Sequence, residues 1–194
     1  GLTAGDVVTL YMPMMPETII AILSCCRIGV MHNVVFAGFS HEALRNRIED
    51  CQSKVVITAD GLWRKGKILH LKKIVDEALE GLSCVQHVVV YARTKKPTTM
   101  NPARDLWWHD IISNNNDKQD SVQSFDSEHP LFLLYTSGST GKPKGILHTT
   151  AGYLLGAQLS TKYIFDLKDD DIFWCTADVG WITGHSYVIY GPLA

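Results

Sequence analysis

The sequence has no apolar run near the ~18 residues that a membrane-spanning helix needs. Its longest, Ile19–Cys26 and Leu131–Tyr135, are of the size that fills a core. It has no excess of charge either: 18 basic against 20 acidic side chains leave a net charge of −2. Nothing in it calls for a nucleic-acid or a membrane partner. Cysteine is scarce and unpatterned. There are five, at positions 25, 26, 51, 84 and 175, an odd number with no CxxC pair. That argues against a zinc module or a disulfide framework and favours free thiols in a reducing compartment. No metal-ligand spacing and no internal repeat occurs. The first residues, from Gly1, lack the composition of a leader peptide and enter as if mid-domain. A cytoplasmic location is the expectation, with mitochondrial and nuclear locations open, since targeting information would lie outside this sequence.

What is present is an alternation of strand and helix signals over 194 residues, enough for one core of ordinary size. Pro16 opens a helical stretch with Ile19, Ile20, Leu23 and Cys26 at helical spacing, and Gly29 closes it. Val34–Phe36 reads as a short buried strand, and Ser40 as the cap of a helix that turns Leu44 and Ile48 inward. Lys54–Thr58, the amphipathic set Leu71, Ile74, Val75, Ala78 and Leu79, and Val88–Tyr91 form a strand–helix–strand unit, which predicts a parallel sheet. Asn114–Asp120 is polar and turn-rich, a surface loop. A strand (Leu131–Tyr135), a glycine loop, a helix (about Thr150–Tyr163) and a further strand (Asp171–Cys175) complete the pattern. The predicted class is α/β, a doubly wound, mostly parallel sheet with flanking helices.

Three segments carry chemistry. In the first, a strand runs into Thr136-Ser-Gly-Ser-Thr-Gly-Lys-Pro-Lys-Gly145. Gly138, Gly141 and Gly145 allow backbone N–H groups to approach phosphate oxygens. Thr136, Ser137, Ser139 and Thr140 add hydroxyl donors, and Lys142 and Lys144 offset phosphate charge. It is not a Walker A loop, because Pro143 follows Lys142 where Ser or Thr would be needed. By composition alone it is either a triphosphate cradle or a glycine-rich surface turn. The second segment is Gly180-Trp-Ile-Thr-Gly184, where an aromatic and a β-branched wall beside one hydroxyl would make a small acyl pocket. The alternative is ordinary core at a strand-to-helix turn. The third, Gly61-Leu-Trp-Arg-Lys-Gly-Lys67, is a basic loop after a strand, suited to an anion or simply to solvent. Asp178, His185 and Ser186 do not make a hydrolase triad, since they are too close in sequence and no G-x-S-x-G elbow exists. His185 is either a hydrogen-bonded structural residue or one that orients substrate.

Tyr135-Thr-Ser-Gly-Ser-Thr-Gly-Lys-Pro-Lys-Gly145 resembles the signature loop of adenylate-forming enzymes, which binds the β- and γ-phosphates of ATP. Within that superfamily, Trp174–Tyr187, Arg104–Trp108, His32–Phe39 and Asp6–Pro13 resemble the acetyl-CoA synthetases, so the likeness covers essentially the whole chain. The resemblance implies that residues 1–194 are part of the large amino-terminal adenylation domain and that the C-terminal domain lies outside this sequence. It implies ATP with Mg2+, coenzyme A and acetate as the small-molecule reactants of the complete enzyme. Thr136, Ser137, Gly138, Ser139, Thr140, Gly141, Lys142, Lys144 and Gly145 would hold ATP phosphates. Trp181, Ile182 and Thr183 would line the acetate pocket. Phe36, Ala37, Gly38, Arg64, Lys65, Gly66, Lys67 and Thr183 would meet coenzyme A. This sequence departs from the common family pattern at Lys67, where arginine is frequent, and at Ile182, where valine is frequent. Lysine keeps the charge without the planar fork, and isoleucine narrows the pocket in favour of acetate over propionate. The magnesium-binding glutamate, the ribose aspartate and the adenylation lysine of the family have no counterpart here, so no catalytic set is complete within these residues. A propionyl- or other short-chain acyl-CoA synthetase, or a non-catalytic nucleotide- or CoA-binding module, are the competing readings.

Overall fold

Val7–Tyr11 is five residues of β-branched and large apolar side chains, every one buried. A strand of that kind can be satisfied only at the centre of a sheet covered on both faces. A computed structural model, which describes residues 1–115, 123–136 and 143–194, places it there as β1. It pairs in parallel with β2 (Met31–Val34) on one side and β3 (Val55–Ala59) on the other. Beyond β3 lie β6 (His87–Tyr91) and β7 (Asp105–Trp107), both parallel. The hairpin β4 (Leu62–Arg64) and β5 (Lys67–Leu69) stands apart between β3 and β6 in sequence. On the far side of β2 lies β8 (Pro130–Thr136), followed by β9 (Lys144–Thr149), which is antiparallel. The order in the seven-stranded sheet is β7-β6-β3-β1-β2-β8-β9.

Helices cover both faces, as doubly wound architecture requires. Alternation along β1 sends Val8, Leu10 and Met12 to one face, where α1 (Pro16–Arg27), α5 (Thr150–Tyr163) and the end of the chain pack. It sends Tyr11 to the other, against α2 (His41–Asp50) and α3 (Leu71–Leu79). Ser40 caps α2 by accepting the Ala43 N–H at 3.3 Å. Pro16 opens α1, and Gly29 follows it with φ +68°. A short α4 (Trp108–Ser113) follows β7. The last helix, α6 (Ile182–Gly184), continues into a π-helical stretch, His185–Tyr190, and a final turn, Gly191–Leu193. Among the described residues no helix is long and apolar enough to cross a membrane.

Several predicted elements move. Asp171–Cys175 is not a strand: it is irregular, with Ile172 and Trp174 almost fully exposed. Strand propensity is realised only against a partner edge, and the free edge of β8 is taken by β9, which the glycine-rich sequence before it hid. The strand at 34–36 begins and ends earlier, as β2, and Val35 and Phe36 already leave the sheet. The loop 61–67 is largely the β4–β5 hairpin. The polar loop at 114–120 lies mostly outside the described residues.

Two buried polar clusters hold the layers. Lys72 is 2% exposed, and its ammonium meets Asp76 and Asp105 at 2.7 Å each and the Thr99 carbonyl at 3.2 Å. Arg104 reaches the same two carboxylates. Burial pushes the Asp105 carboxyl up, but Arg104 and Lys72 outweigh it and hold it below the usual carboxylate range. On the other face His32, Phe132, His185 and Tyr190 form an aromatic stack, with His32 Nε2 and the Tyr190 hydroxyl 2.5 Å apart. The Tyr190 hydroxyl also lies 3.1 Å from Cys26 Sγ. His32 Nδ1 and His185 Nε2 have no partner among the described residues. Burial pulls His32 well below its ordinary value and takes His185 down to about 4.

Two outcomes follow. Lys72→Met keeps the volume but leaves the Asp76 and Asp105 carboxylates to share Arg104 alone among the cations, and should cost about 3 kcal/mol in urea unfolding. For the histidines, the folded form stays neutral while the unfolded form takes up a proton below about pH 6.5. Stability is therefore complete above that pH and falls as pH drops toward 4, by up to about 3 kcal/mol from His185 alone. A plot of unfolding midpoint against pH should show this slope, and His185→Leu should flatten it.

Candidate functional site

In a doubly wound sheet, ligands sit beyond the carboxyl ends of the strands, where the winding reverses. Here it reverses around β1, with β2 on one side and β3 on the other. The loops that follow β1, β2, β3, β6 and β8 all emerge at that edge. Asp60, just after β3, fixes two of them. Its carboxylate accepts the Gly61 N–H at 2.7 Å, the Arg93 N–H at 3.0 Å, and from Thr94 both the N–H at 2.9 Å and the hydroxyl at 2.8 Å. The segments after β3 and β6 are thereby locked side by side. A single aspartate after a strand gave the sequence no signal for this.

The segment after β2 forms an aromatic strip. Phe36 and Phe39 meet edge to face at 5.6 Å, and Trp181 stacks on Phe36 at 5.4 Å. The Arg64 guanidinium lies over the Phe36 ring at 5.4 Å. Gly38 is required between them, because an added Cβ would run into Phe36 and Arg64. A cleft of about 260 Å3 opens there, lined by Phe36, Ala37, Gly38 and Arg64, with Arg93 and Asp178 on the opposite wall. Burial raises the Asp178 carboxyl, partly offset by the Gly180 N–H that it accepts at 2.7 Å. Arg93 and Asp178 were missed as lining residues: Arg93 lies in no recognisable motif, and Asp178, within Trp174–Tyr187, was weighed only as a triad member. Of the predicted basic set only Arg64 lines the cleft. Lys65 and Gly66 form the hairpin tip with φ of +50° and +75°, and Lys67 pairs across from Arg64.

The glycine loop after β8 is the connection of the β8–β9 hairpin. Ser137, Gly138, Ser139, Thr140, Gly141 and Lys142 lie outside the described residues, but the stem is defined. Thr136 pairs with Lys144 and Tyr135 with Gly145. The Tyr135 ring packs on Gly145, where a Cβ would come within 3.1 Å of it. The Tyr135 hydroxyl donates to Asp50 at 2.6 Å, tying the stem to α2. Burial, then this carboxylate, raises the Tyr135 hydroxyl above its ordinary value.

Trp181, Ile182 and Thr183 begin the last helix and are all exposed at the same edge, Trp181 beside the cleft. Gly184 is buried directly against the Asp178 carbonyl, too close for any side chain. His185 faces inward instead, with Nδ1 3.2 Å from the Trp181 carbonyl, which is the structural role. The Ser186 hydroxyl meets the Tyr153 hydroxyl at 2.7 Å, so no triad forms. Among the described residues no cluster of acidic, histidine or cysteine side chains could hold a metal ion. By themselves, then, the described residues offer no magnesium site. A separate cavity of about 470 Å3 lies near the opposite edge of the sheet beside Gly29, Val30 and Leu131 and is mostly apolar.

Acetyl-coenzyme A synthetases from Deinococcus radiodurans and Rhodopirellula baltica are 56% and 55% identical to the chain over 194 residues. That of Escherichia coli K12 is 55% identical over 196 residues. Each match covers all of this chain but only 29–30% of the relative, so the chain spans about 30% of the length of the proteins it matches. The family model described as AMP-binding enzyme matches residues 1–194. With the match running through the β8–β9 stem, the aromatic strip and the final helix alike, this chain belongs to the AMP-binding enzyme family.

Proposed function

We propose that the full-length gene product carrying this chain is an acetate–CoA ligase that forms AMP. The observation that carries the proposal is the 55–56% identity to acetyl-coenzyme A synthetases along the entire chain. Residues 1–194 are read as part of the large adenylation domain, and the C-terminal domain as lying elsewhere in the product. The reaction divides into two steps. An acetate oxygen attacks the α-phosphorus of ATP, and pyrophosphate leaves with the bonding electrons. The coenzyme A thiol then attacks the acyl carbon of acetyl-AMP, releasing AMP and a proton.

The contribution of this chain is positioning and charge stabilisation. The loop from Thr136 to Gly145 would hold the β- and γ-phosphates, its backbone N–H groups and Lys142 neutralising charge as pyrophosphate departs. The Phe36–Gly38 segment and Arg64 would receive the adenine and phosphate end of coenzyme A, and the cleft between them has the apolar floor and cationic rim that this needs. Lys65, Gly66 and Lys67, on the hairpin tip, would act at longer range. Trp181, Ile182 and Thr183 would bound the acetate methyl, with Thr183 also toward the thiol. Acetate, ATP and coenzyme A are all small and soluble, which suits a cytoplasmic site of action.

In the full-length product, ATP–pyrophosphate exchange should depend on acetate. Lys142→Ala should raise the KM for ATP at least about tenfold, the usual worth of a charge-assisted contact. Nucleotide binding without acetate-dependent exchange would instead identify a binding module. For the pocket, Ile182→Ala should shift kcat/KM from acetate toward propionate by about tenfold. If propionate is already preferred by the unaltered protein, the acetate assignment gives way to a propionate one.

A further inference from the structure

The β4–β5 hairpin forms a sheet of its own, apart from the seven-stranded one. A lone two-stranded hairpin is marginal in water, so this one depends on what ties it to the rest of the domain. Leu62 and Leu69 pack against the core between α2 and α3, but apolar burial has no direction. The directional tie is at the root of the hairpin. Asp60 is 2% exposed, and its carboxylate accepts the Gly61 N–H that starts the hairpin. The same carboxylate accepts the backbone N–H groups of Arg93 and Thr94 and the Thr94 hydroxyl, all from the segment after β6. Hydrogen bonds to an ionised acceptor are the stronger kind. Gly61 leaves no slack at this root, since a Cβ there would come within 2.8 Å of the Leu69 carbonyl. The two segments carry Arg64 and Arg93, both of which line the cleft of the aromatic strip. Asp60 itself lies outside that lining.

We propose that Asp60 is a positioning residue for the coenzyme A half of the reaction, because one buried carboxylate holds the Arg64 hairpin and the Arg93 segment at a fixed separation. This rests on the reading of the cleft as the coenzyme A site. Two cationic side chains from different segments serve one anionic ligand only if their backbones keep their spacing. The attack of acetate on ATP uses neither segment in that reading, so the clamp bears on the thiol-transfer step and not on adenylation.

The test uses the full-length gene product and two measurements: acetate-dependent ATP–pyrophosphate exchange without coenzyme A, and the KM for coenzyme A in acetyl-CoA formation. Asp60→Asn keeps the shape but removes the charge and one acceptor, and should raise that KM about tenfold with exchange unchanged. Thr94→Val, which removes only the hydroxyl donor, should raise it about threefold. Exchange and acetyl-CoA formation falling together would mean a merely structural role and overturn the proposal, as would an unchanged KM in a folded Asp60→Asn protein. Should Asp60→Asn fail to fold, Thr94→Val decides by the same split. Arg64→Ala separates the proposal from the reading beneath it. If it leaves the KM for coenzyme A unaltered, the cleft is not the coenzyme A site and the proposal falls with that reading. If it raises the KM while the Asp60 and Thr94 variants do not, only the positioning role is refuted.

Discussion

The central constraint is the two-sided burial of β1. Val8, Thr9, Leu10 and Tyr11 are paired to β3 and, but for Tyr11, to β2 as well, and each side chain is closed off by a helical layer. A strand in that position must be parallel to its neighbours if the chain is to return by way of helices. Parallel pairing then puts every strand's carboxyl end on one edge. The β8–β9 stem, the aromatic strip, the hairpin and the Asp60 clamp are neighbours because of that rule, although they come from positions as far apart as Phe36 and Tyr135. In the seven-stranded sheet β9 is the antiparallel strand, returning directly from β8, and the stem the two strands form lies at the same edge as the rest.

Much of this was legible in the sequence where periodicity and caps were strong. The helix from Pro16, the Ser40 cap and the amphipathic set from Leu71 to Leu79 all appear where spacing put them. What was not legible depended on partners distant in sequence. Asp171–Cys175 has the composition of a strand but no edge to join, and Lys144–Thr149, preceded by glycine and proline, becomes a strand because β8 offers one. The site was legible as motifs, not as contacts. Gly38 and Arg64 proved to meet, and Phe36 and Trp181 to stack, whereas Lys65–Lys67 turned out to form a hairpin tip. Asp60 and Arg93 carried no local pattern, and they meet only because the fold brings together segments more than thirty positions apart.

The polar interior divides into two kinds of chemistry. Around Lys72 the charges are paired, and the cluster fastens β7 and α3 at one end of the sheet. Around His32 and His185 the groups are kept neutral by burial, and ring stacking on Phe132 does the binding. The first responds to loss of a partner, the second to acid.

The π-helical stretch His185–Tyr190 sets a limit on chain length. In an α-helix two residues five apart lie roughly 140° around the axis from each other, so His185 and Tyr190 would face different ways. The wider turn, closed by the Gly191 N–H on the Ser186 carbonyl, brings both rings onto the Phe132–His32 stack. Gly191 itself sits tight against Thr161 of α5, so the helix cannot shift along its neighbour to compensate. The segment is therefore free to vary in the chemistry of its outward residues but not in their number: insertion or deletion of one residue between Ser186 and Ile189 would rotate Tyr190 out of register and carry Trp181 and its neighbours with it.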